Sequence, residues 1–421
     1  MRRTPEIFGK IDGITILLYL VLVFFGWINI YASMHNDDIT NSIFDLNTKY
    51  GKQLLFIGIS LFVGFVILII DWSFFDSLSF LFYGIIVVFL VVILFSSDST
   101  GGATSWFRIG SFKIQPSEFA KFATALALAK MFSLNKQNKY SFNSMAKSYL
   151  VLLVPFILII LQNDLGTALV FTSFILVFYR EGLSGNVLIV GLVLFALALF
   201  SLLITPWILS IIVTLLIVII FLSSSNRVRS LKISTIITLI SNGVIFSTNY
   251  IYNNLLSPHH IERINILLGK EFDPLGSGYN LIQSKIAIGS GGFLGKGFLN
   301  GTQTRFDFVP EQSTDFIFCT VGEEWGFVGS LFFLMTFGAL LLRIIYLSEK
   351  QKSQFCRVYG YSVACILFTH LLINLGMTIG LAPTIGIPLP FMSYGGSSLL
   401  SFTILLFIFL NLNSYRMDIL R

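Results

Sequence analysis

The sequence predicts an all-α integral membrane protein, a polytopic helical bundle of about twelve transmembrane helices, and three observations carry that reading. Of 421 residues, 55% are hydrophobic and 11% charged, against about 25% charged in a soluble domain; so apolar a chain cannot cover itself with polar side chains in water. Its apolar positions gather into runs of about 20 residues, the length that crosses a hydrocarbon core of about 30 Å. Its Lys and Arg residues collect in the short connections that such a count puts on one side. Disorder and a disulfide scaffold are thereby excluded. So is nucleic-acid binding, because the +6 balance is spread through loops as orientation requires. Cys319, Cys356 and Cys365 show neither CxxC nor metal-ligand spacing.

The runs fall at 13–32, 54–70, 78–95, 116–134, 148–162, 166–179, 187–203, 207–222, 233–250, 316–346, 358–381 and 398–412. The fifth and sixth are short, and only Ile204, Thr205 and Pro206 separate the seventh from the eighth, so about ten spans is the alternative count. With the N-terminus inside, Arg2, Arg3 and Lys10 precede the first span. The loops at 135–147 (Lys136, Lys139, Lys147), 223–232 (Arg227, Arg229, Lys232) and 347–357 (Lys350, Lys352, Arg357) then all face the cytoplasm. So does the tail with Arg416 and Arg421. An error of one span breaks this agreement and an error of two preserves it. The first run is too long for a cleavable signal peptide and lacks a small-residue cleavage site. The whole chain, 1–421, reads as one multi-pass membrane domain with a large extracytoplasmic loop at 251–315.

Three segments face outside: 96–115, 251–315 and 382–397. The first holds Gly101, Gly102, Trp106 and Arg108 before Pro116 opens a helix. The second is longer than an idle connector in a compact protein. The third, beginning APTIGIPLPFMSYGG, is rich in Pro and Gly yet apolar. Such backbone sits at membrane depth only where protein buries it or where it lines a cavity. Together they point to an outward-facing site.

Asp315 lies where the long loop meets the tenth run, in PEQSTDFIF, with Glu311 one helical turn earlier. It reads either as a favourable charge at a helix start or as a general base, which needs an ionised carboxylate within reach of a substrate hydroxyl. Glu323 and Glu324 follow deeper, where charge is costly and marks candidate sites; one of the two also reads as a partner for a basic side chain. Glu118 and Lys121, three residues apart, share a helix face and form either an internal ion pair or a substrate contact. Asp164, in QNDLGTA, reads as a partner for Lys121 or Arg108. Trp106 is an interfacial anchor or a sugar or lipid contact.

The run GSGGFLGKG at 289–297 is not a P-loop, because Ser290 and Gly297 occupy the positions of the first Gly and the Ser or Thr. It reads as an amide-rich turn. With Lys285, Lys296 and Arg263 it suits a diphosphate, or it is a plain loop. The adjacent His259 and His260 read as exposed loop residues.

Five runs resemble, in order, the motifs of the SEDS family (shape, elongation, division and sporulation), and its RodA-like more than its FtsW-like members. They are GGATSWFRIGSFKIQPSEFAK, QNDLGTA, GYNLIQSKIAIGSGGFLGKGFLNGTQ, VPEQSTDFIF with VGEEWGFVGS, and NLGMTIGLAPTIGIPLPFMSYGGSS. The resemblance implies a peptidoglycan glycosyltransferase that polymerises lipid II into β-1,4 glycan strands at the outer face of the bacterial cytoplasmic membrane during elongation. It puts the family's essential aspartate on Asp315, and other characteristic positions on Trp106, Glu118, Lys121, Asp164, Arg263, Gln283, Lys285 and Glu324. The implied chemistry is inverting: Asp315 takes the proton of the acceptor GlcNAc 4-hydroxyl as it displaces undecaprenyl diphosphate. Arg263, Lys285 or Lys296 stabilises that leaving group. No cofactor is fixed, and a divalent cation, magnesium or manganese, is the other source of charge. The implied partners are a class B penicillin-binding protein acting as transpeptidase and other elongation-complex membrane proteins. This chain departs from the family in having Ser313 for His, Asn163 for Pro and Ser105 for a basic residue. It also carries an extra helix pair within 187–250 beyond the family's ten. A lipid II flippase and a non-enzymatic scaffold of the cell-wall complex are the alternative functions.

Overall fold

The computed structural model describes residues 10–35, 42–95, 105–109, 112–134, 142–223, 227–270, 276, 278–306 and 308–416. Arg2, Arg3, Gly101, Gly102, Lys136, Lys139 and Arg421 lie outside the described residues, as do the side chains of Arg108, Arg227, Arg229 and His259. The helices are α1 (Gly13–Met34), α2 (Lys49–Ile69), α3 (Trp72–Ser77), α4 (Ser79–Ile93), α5 (Pro116–Leu134), α6 (Phe142–Leu161), α7 (Leu165–Phe171), α8 (Phe174–Arg180), α9 (Gly185–Leu203), α10 (Pro206–Leu222), α11 (Arg227–Asn254), α12 (Pro258–Leu267), α13 (Tyr279–Gly291), α14 (Thr302–Arg305), α15 (Ile317–Glu349), α16 (Gln354–Ile379) and α17 (Gly396–Ser414). Among the described residues α1, α2, α9, most of α11, α15, α16 and α17 are long and apolar enough to cross a membrane, and α4, α6, α10 and the α7–α8 pair are shorter apolar helices. Helix occupies every one of the expected runs, the sixth as two short helices. This is a polytopic helical membrane protein.

Among the described residues, secondary structure extends into the connections between the spans. The 96–115 segment contains an antiparallel hairpin, β1 (Phe107–Ile109) with β2 (Phe112–Ile114), in which Arg108 opposes Lys113. The expected loop at 251–315 contains α12, α13 and α14. In α13 the buried positions are Leu281, Ser284, Ala287 and Gly291, one helical face made mostly of small residues. A hydropathy scan misses such a face because closeness of approach, rather than apolar bulk, is what it provides.

The chain divides into two compact units, Met1–Glu181 with Tyr279–Arg421, and Gly182–Gly278. In the first unit α16 packs against α5, α8 and α15, and α17 against α2. Lipid gives helices no hydrophobic reason to associate, so small and polar residues make the contacts. In α5 the buried positions include Ala120, Ala123, Ala125, Ala127 and Ala129. Asn411 of α17 donates to Ile67 O (2.9 Å) and Ile70 O (2.7 Å), satisfying carbonyls at the end of α2. Tyr359 Oη donates to Leu405 O (3.0 Å), joining α16 to α17. In the second unit α11 packs on α9 and α10, Ser210 Oγ donates to Asn242 Oδ1 (2.5 Å), and most large apolar side chains face outward.

One joint governs where the outer end of α15 goes. Gly326 interrupts that helix with φ 62° and ψ −154°, a conformation open to glycine alone. The freed amides of Phe327 and Val328 donate to Gly292 O (3.0 Å) and Phe293 O (3.1 Å), while the amides of Lys296 and Gly297 donate to Glu323 O (3.0 Å) and Glu324 O (3.0 Å). The glycine-rich 291–297 run is therefore a backbone splice through the break in α15. Its amides at 296 and 297 are occupied by these bonds. A Cβ at residue 326 would collide with Gly295 N. Gly326→Ala is expected to cost roughly 1–3 kcal/mol, read as a lowered thermal midpoint in detergent. Gly289→Ala, with open space around its Cβ, is expected to be neutral or stabilising by up to about 1 kcal/mol; equal midpoints for the two variants would contradict the splice.

Candidate functional site

Asp315 sits in a turn immediately before α15, partly exposed, with buried Gln312, Ser313 and Phe316 beside it. Its place is set by backbone hydrogen bonds. Asn374 Nδ2, on α16, donates both to Asp315 O (2.7 Å) and to Ile387 O (2.7 Å). Tyr394 N donates to Ser313 O (2.8 Å) and Ser393 Oγ to Thr314 O (2.6 Å). Gln53 of α2 accepts from Gly395 N (3.2 Å). The 382–397 segment is thus the clamp on the Asp315 turn. Its apolar side chains Ile387, Leu389, Phe391 and Met392 are buried, which is how irregular backbone exists inside a bundle. Gly386, at φ 73°, brings bare backbone to the carboxylate: an added Cβ would lie 3.3 Å from Asp315 Oδ2. Exposed Glu311 accepts from Thr314 Oγ1 (2.7 Å) on the same turn.

Lys49, the first residue of α2, donates to Ser313 Oγ (3.0 Å). Sequence reading passed over it, because it lies in a stretch without a motif. The serine that replaces the family's histidine holds this cation two residues from Asp315.

Glu118 and Lys121 form a buried ion pair, 2.8 Å apart and 2% and 1% exposed. Lys121 Nζ also lies 2.9 Å from His370 Nε2 and 4.4 Å from the Phe402 ring centroid. His370 had no sequence signal, since a single histidine in an apolar run carries no motif. Asp164 accepts from Gln115 Nε2 (2.8 Å), Ser117 Oγ (3.1 Å) and Thr167 N (3.0 Å). It is the N-cap of α7 tied to the start of α5, and the Arg108 side chain of the expected pairing lies outside the described residues. Asn163 before it has φ 62°, which a proline ring forbids.

Glu323 is the structural one of the adjacent glutamates. Its carboxylate accepts from Lys296 Nζ (2.6 Å) and from the amides of Thr302 (2.8 Å), Gln303 (2.9 Å) and Thr304 (2.9 Å), capping α14. The ammonium of Lys296 thus forms an ion pair with Glu323 and also donates to Thr302 Oγ1 (2.7 Å). Glu324 is 1% exposed, and among the described residues no hydrogen bond of good geometry reaches its carboxylate oxygens. Exposed Lys285, on α13, lies against Gly380, the left-handed C-cap of α16, where a helix end favours a cation. Gln283 is half-buried on α13, and Trp106 is half-buried just before β1. Arg263 is on α12, in the second unit. Among the described residues no group of three or more His, Cys, Asp or Glu stands together as a metal cage, and no step below is routed through a metal.

The model of the FtsW, RodA and SpoVE cell cycle proteins matches residues 13–210 and 192–418. The chain belongs to this family. It is 32% identical over 318 residues to the peptidoglycan glycosyltransferase MrdB of Escherichia coli K12, covering 74% of this chain and 72% of that protein. It is 30% identical over 414 residues to the peptidoglycan glycosyltransferase RodA of Treponema pallidum, covering 92% and 94%. A chain from a solved peptidoglycan synthase complex superposes with a TM-score of 0.71 at 28% identity, covering 96% of this chain and 98% of that one. The fold of Thermus thermophilus RodA superposes with a TM-score of 0.62, covering 96% and 97%, at 22% identity.

Within this FtsW, RodA and SpoVE fold, the structure brings Asp315, Glu311, Lys49 and Gly386 to one turn and puts the Glu118–Lys121 pair behind them on α5. Glu323 instead serves the splice. Removing a partner from a buried charge cluster costs roughly 3–5 kcal/mol. Glu323→Ala is therefore expected to lower the thermal midpoint strongly, whereas exposed Glu311→Ala is expected to stay within about 0.5 kcal/mol. Equal, small effects would show that α14 needs no cap.

Proposed function

We propose that the chain is a peptidoglycan glycosyltransferase that polymerises lipid II into β-1,4 glycan strands at the outer face of the cytoplasmic membrane, with Asp315 as general base. The observation that carries this reading is a partly exposed carboxylate on a turn whose backbone is bound from α16 and from the partly buried 382–397 segment. A base must be held to within fractions of an ångström yet remain reachable. Asp315 accepts the proton of the acceptor GlcNAc 4-hydroxyl while that oxygen forms its bond to the donor's anomeric carbon. The bond from that carbon to the diphosphate breaks on the opposite face, so the α linkage becomes β. Undecaprenyl diphosphate leaves with the electron pair, and no acid need protonate it. Lys49 beside Ser313 and exposed Lys285 offer positive charge on the same unit.

Loop charge supports the sidedness: with both termini in the cytoplasm, the basic connections face inward and Asp315 faces outward. The relatives bear the name peptidoglycan glycosyltransferase. The synthase complex whose chain this one resembles coordinates polymerisation with crosslinking, which supports a class B penicillin-binding protein as partner.

The test is polymerisation of purified lipid II by the protein reconstituted with that partner, comparing the native chain with Asp315→Asn. The amide keeps the shape and loses the base, so glycan formation is expected to fall by roughly 10²- to 10⁴-fold at an unchanged thermal midpoint. Equal activity of the two would move the base elsewhere, and headgroup translocation without any glycan would replace the enzyme by a flippase.

A further inference from the structure

The buried Glu118–Lys121 pair is joined to the Asp315 clamp by a histidine. His370 is 1% exposed and presents one ring nitrogen to each of two groups: Nε2 to Lys121 Nζ (2.9 Å) and Nδ1 to Pro388 O (3.1 Å). An ammonium has only protons to offer, so Nε2 must accept. The neutral ring then carries its proton on Nδ1 and donates it to the Pro388 carbonyl. Phe402 packs edge-on against this ring at 4.8 Å and under the ammonium at 4.4 Å, so both groups are held sideways as well.

Asn374 stands one helical turn further along α16, on the same face. It donates to Ile387 O and to Asp315 O. Consecutive carbonyls, at 387 and 388, are therefore gripped from consecutive turns of one helix. The residue just before them is Gly386, whose backbone approaches the Asp315 carboxylate. Proline at 388 has no N–H and a fixed φ, so its carbonyl is the main-chain handle available there.

We propose that His370 is a positioning residue for Asp315: Lys121, charged against Glu118, locks its tautomer, and its Nδ1–H holds the 386–388 backbone against the Asp315 turn. This inference rests on the glycosyltransferase reading for its kinetic consequence, and its tautomer is testable without that reading. The buried ion pair acts on the site at a distance, through one ring, without touching substrate.

Two measurements test it. In the full-length protein labelled with ¹⁵N-histidine, the ring signals assigned to His370 by their loss in His370→Gln are expected to show a neutral ring protonated at Nδ1. A ring protonated at Nε2, or at both nitrogens, overturns the proposal. In the lipid II assay with the penicillin-binding partner, His370→Phe keeps the aromatic packing and loses both hydrogen bonds. It is expected to lower kcat roughly 10- to 100-fold with KM changed less than about twofold. His370→Gln, whose amide can accept from Lys121 and donate to Pro388, is expected to restore most of kcat. A Phe variant with native kcat, a Gln variant as impaired as Phe, or a loss matched by the loss of folded protein would each show that the ring only fills space. If the native chain makes no glycan, the glycosyltransferase reading fails, and the ring signals still decide the tautomer.

Discussion

Irregular backbone inside an apolar bundle survives only if the protein supplies every hydrogen bond that water would have made. The part of this protein that carries Asp315 is built around that constraint. The 382–395 segment and the 292–301 segment are both non-helical. Each is held by a small number of polar side chains, some rising from helices and some from the segment itself. Asn374 serves two carbonyls at once, Ser393 reaches the turn beside Asp315, and Glu323 collects three amides and an ammonium. These contacts have no competitor in a low-dielectric setting, which makes them stronger than the same contacts in water and their loss more costly.

The chemistry follows from the same constraint. A carboxylate on a free loop would sample many positions, and each ångström of displacement is costly to a proton transfer. Asp315 is instead fixed through its main chain, and it is partly exposed. The glycine at 386 allows backbone, rather than a side chain, to lie beside the carboxylate. Charges within the bundle fall into two kinds. Those of Glu118, Lys121, Asp164, Glu323 and Lys296 are spent on geometry, as ion pairs and caps. Those of Asp315, Glu311 and Lys285 remain accessible.

Resemblance to the family marked most of these residues and did not sort them. Asp164 and Lys296 carry charge in a suggestive position, and a contact map is needed to show that one caps a helix and the other pairs with Glu323. Lys49 and His370 lay in runs without motif, one at the start of a span and one in the middle of another. They matter because folding brings them to residues more than two hundred positions away, at Ser313 and Lys121. In the glycine-rich run, exposed amides and consumed amides are spelled with the same residues, so the splice through α15 could not be read from it.

By itself the sequence determined the helical membrane class, the order and approximate limits of the spans, and the aspartate at the outer end of the tenth run. Hydrophobic length and loop charge are local quantities, set by the price of moving each residue into lipid, so they can be read in one dimension. Only the tertiary structure decided that the long outer segment splits between two units, that glycines splice through a broken helix, and which buried charges support the site. Those outcomes depend on which polar groups meet across sequence distance, and in an apolar interior an unmet one costs several kcal/mol.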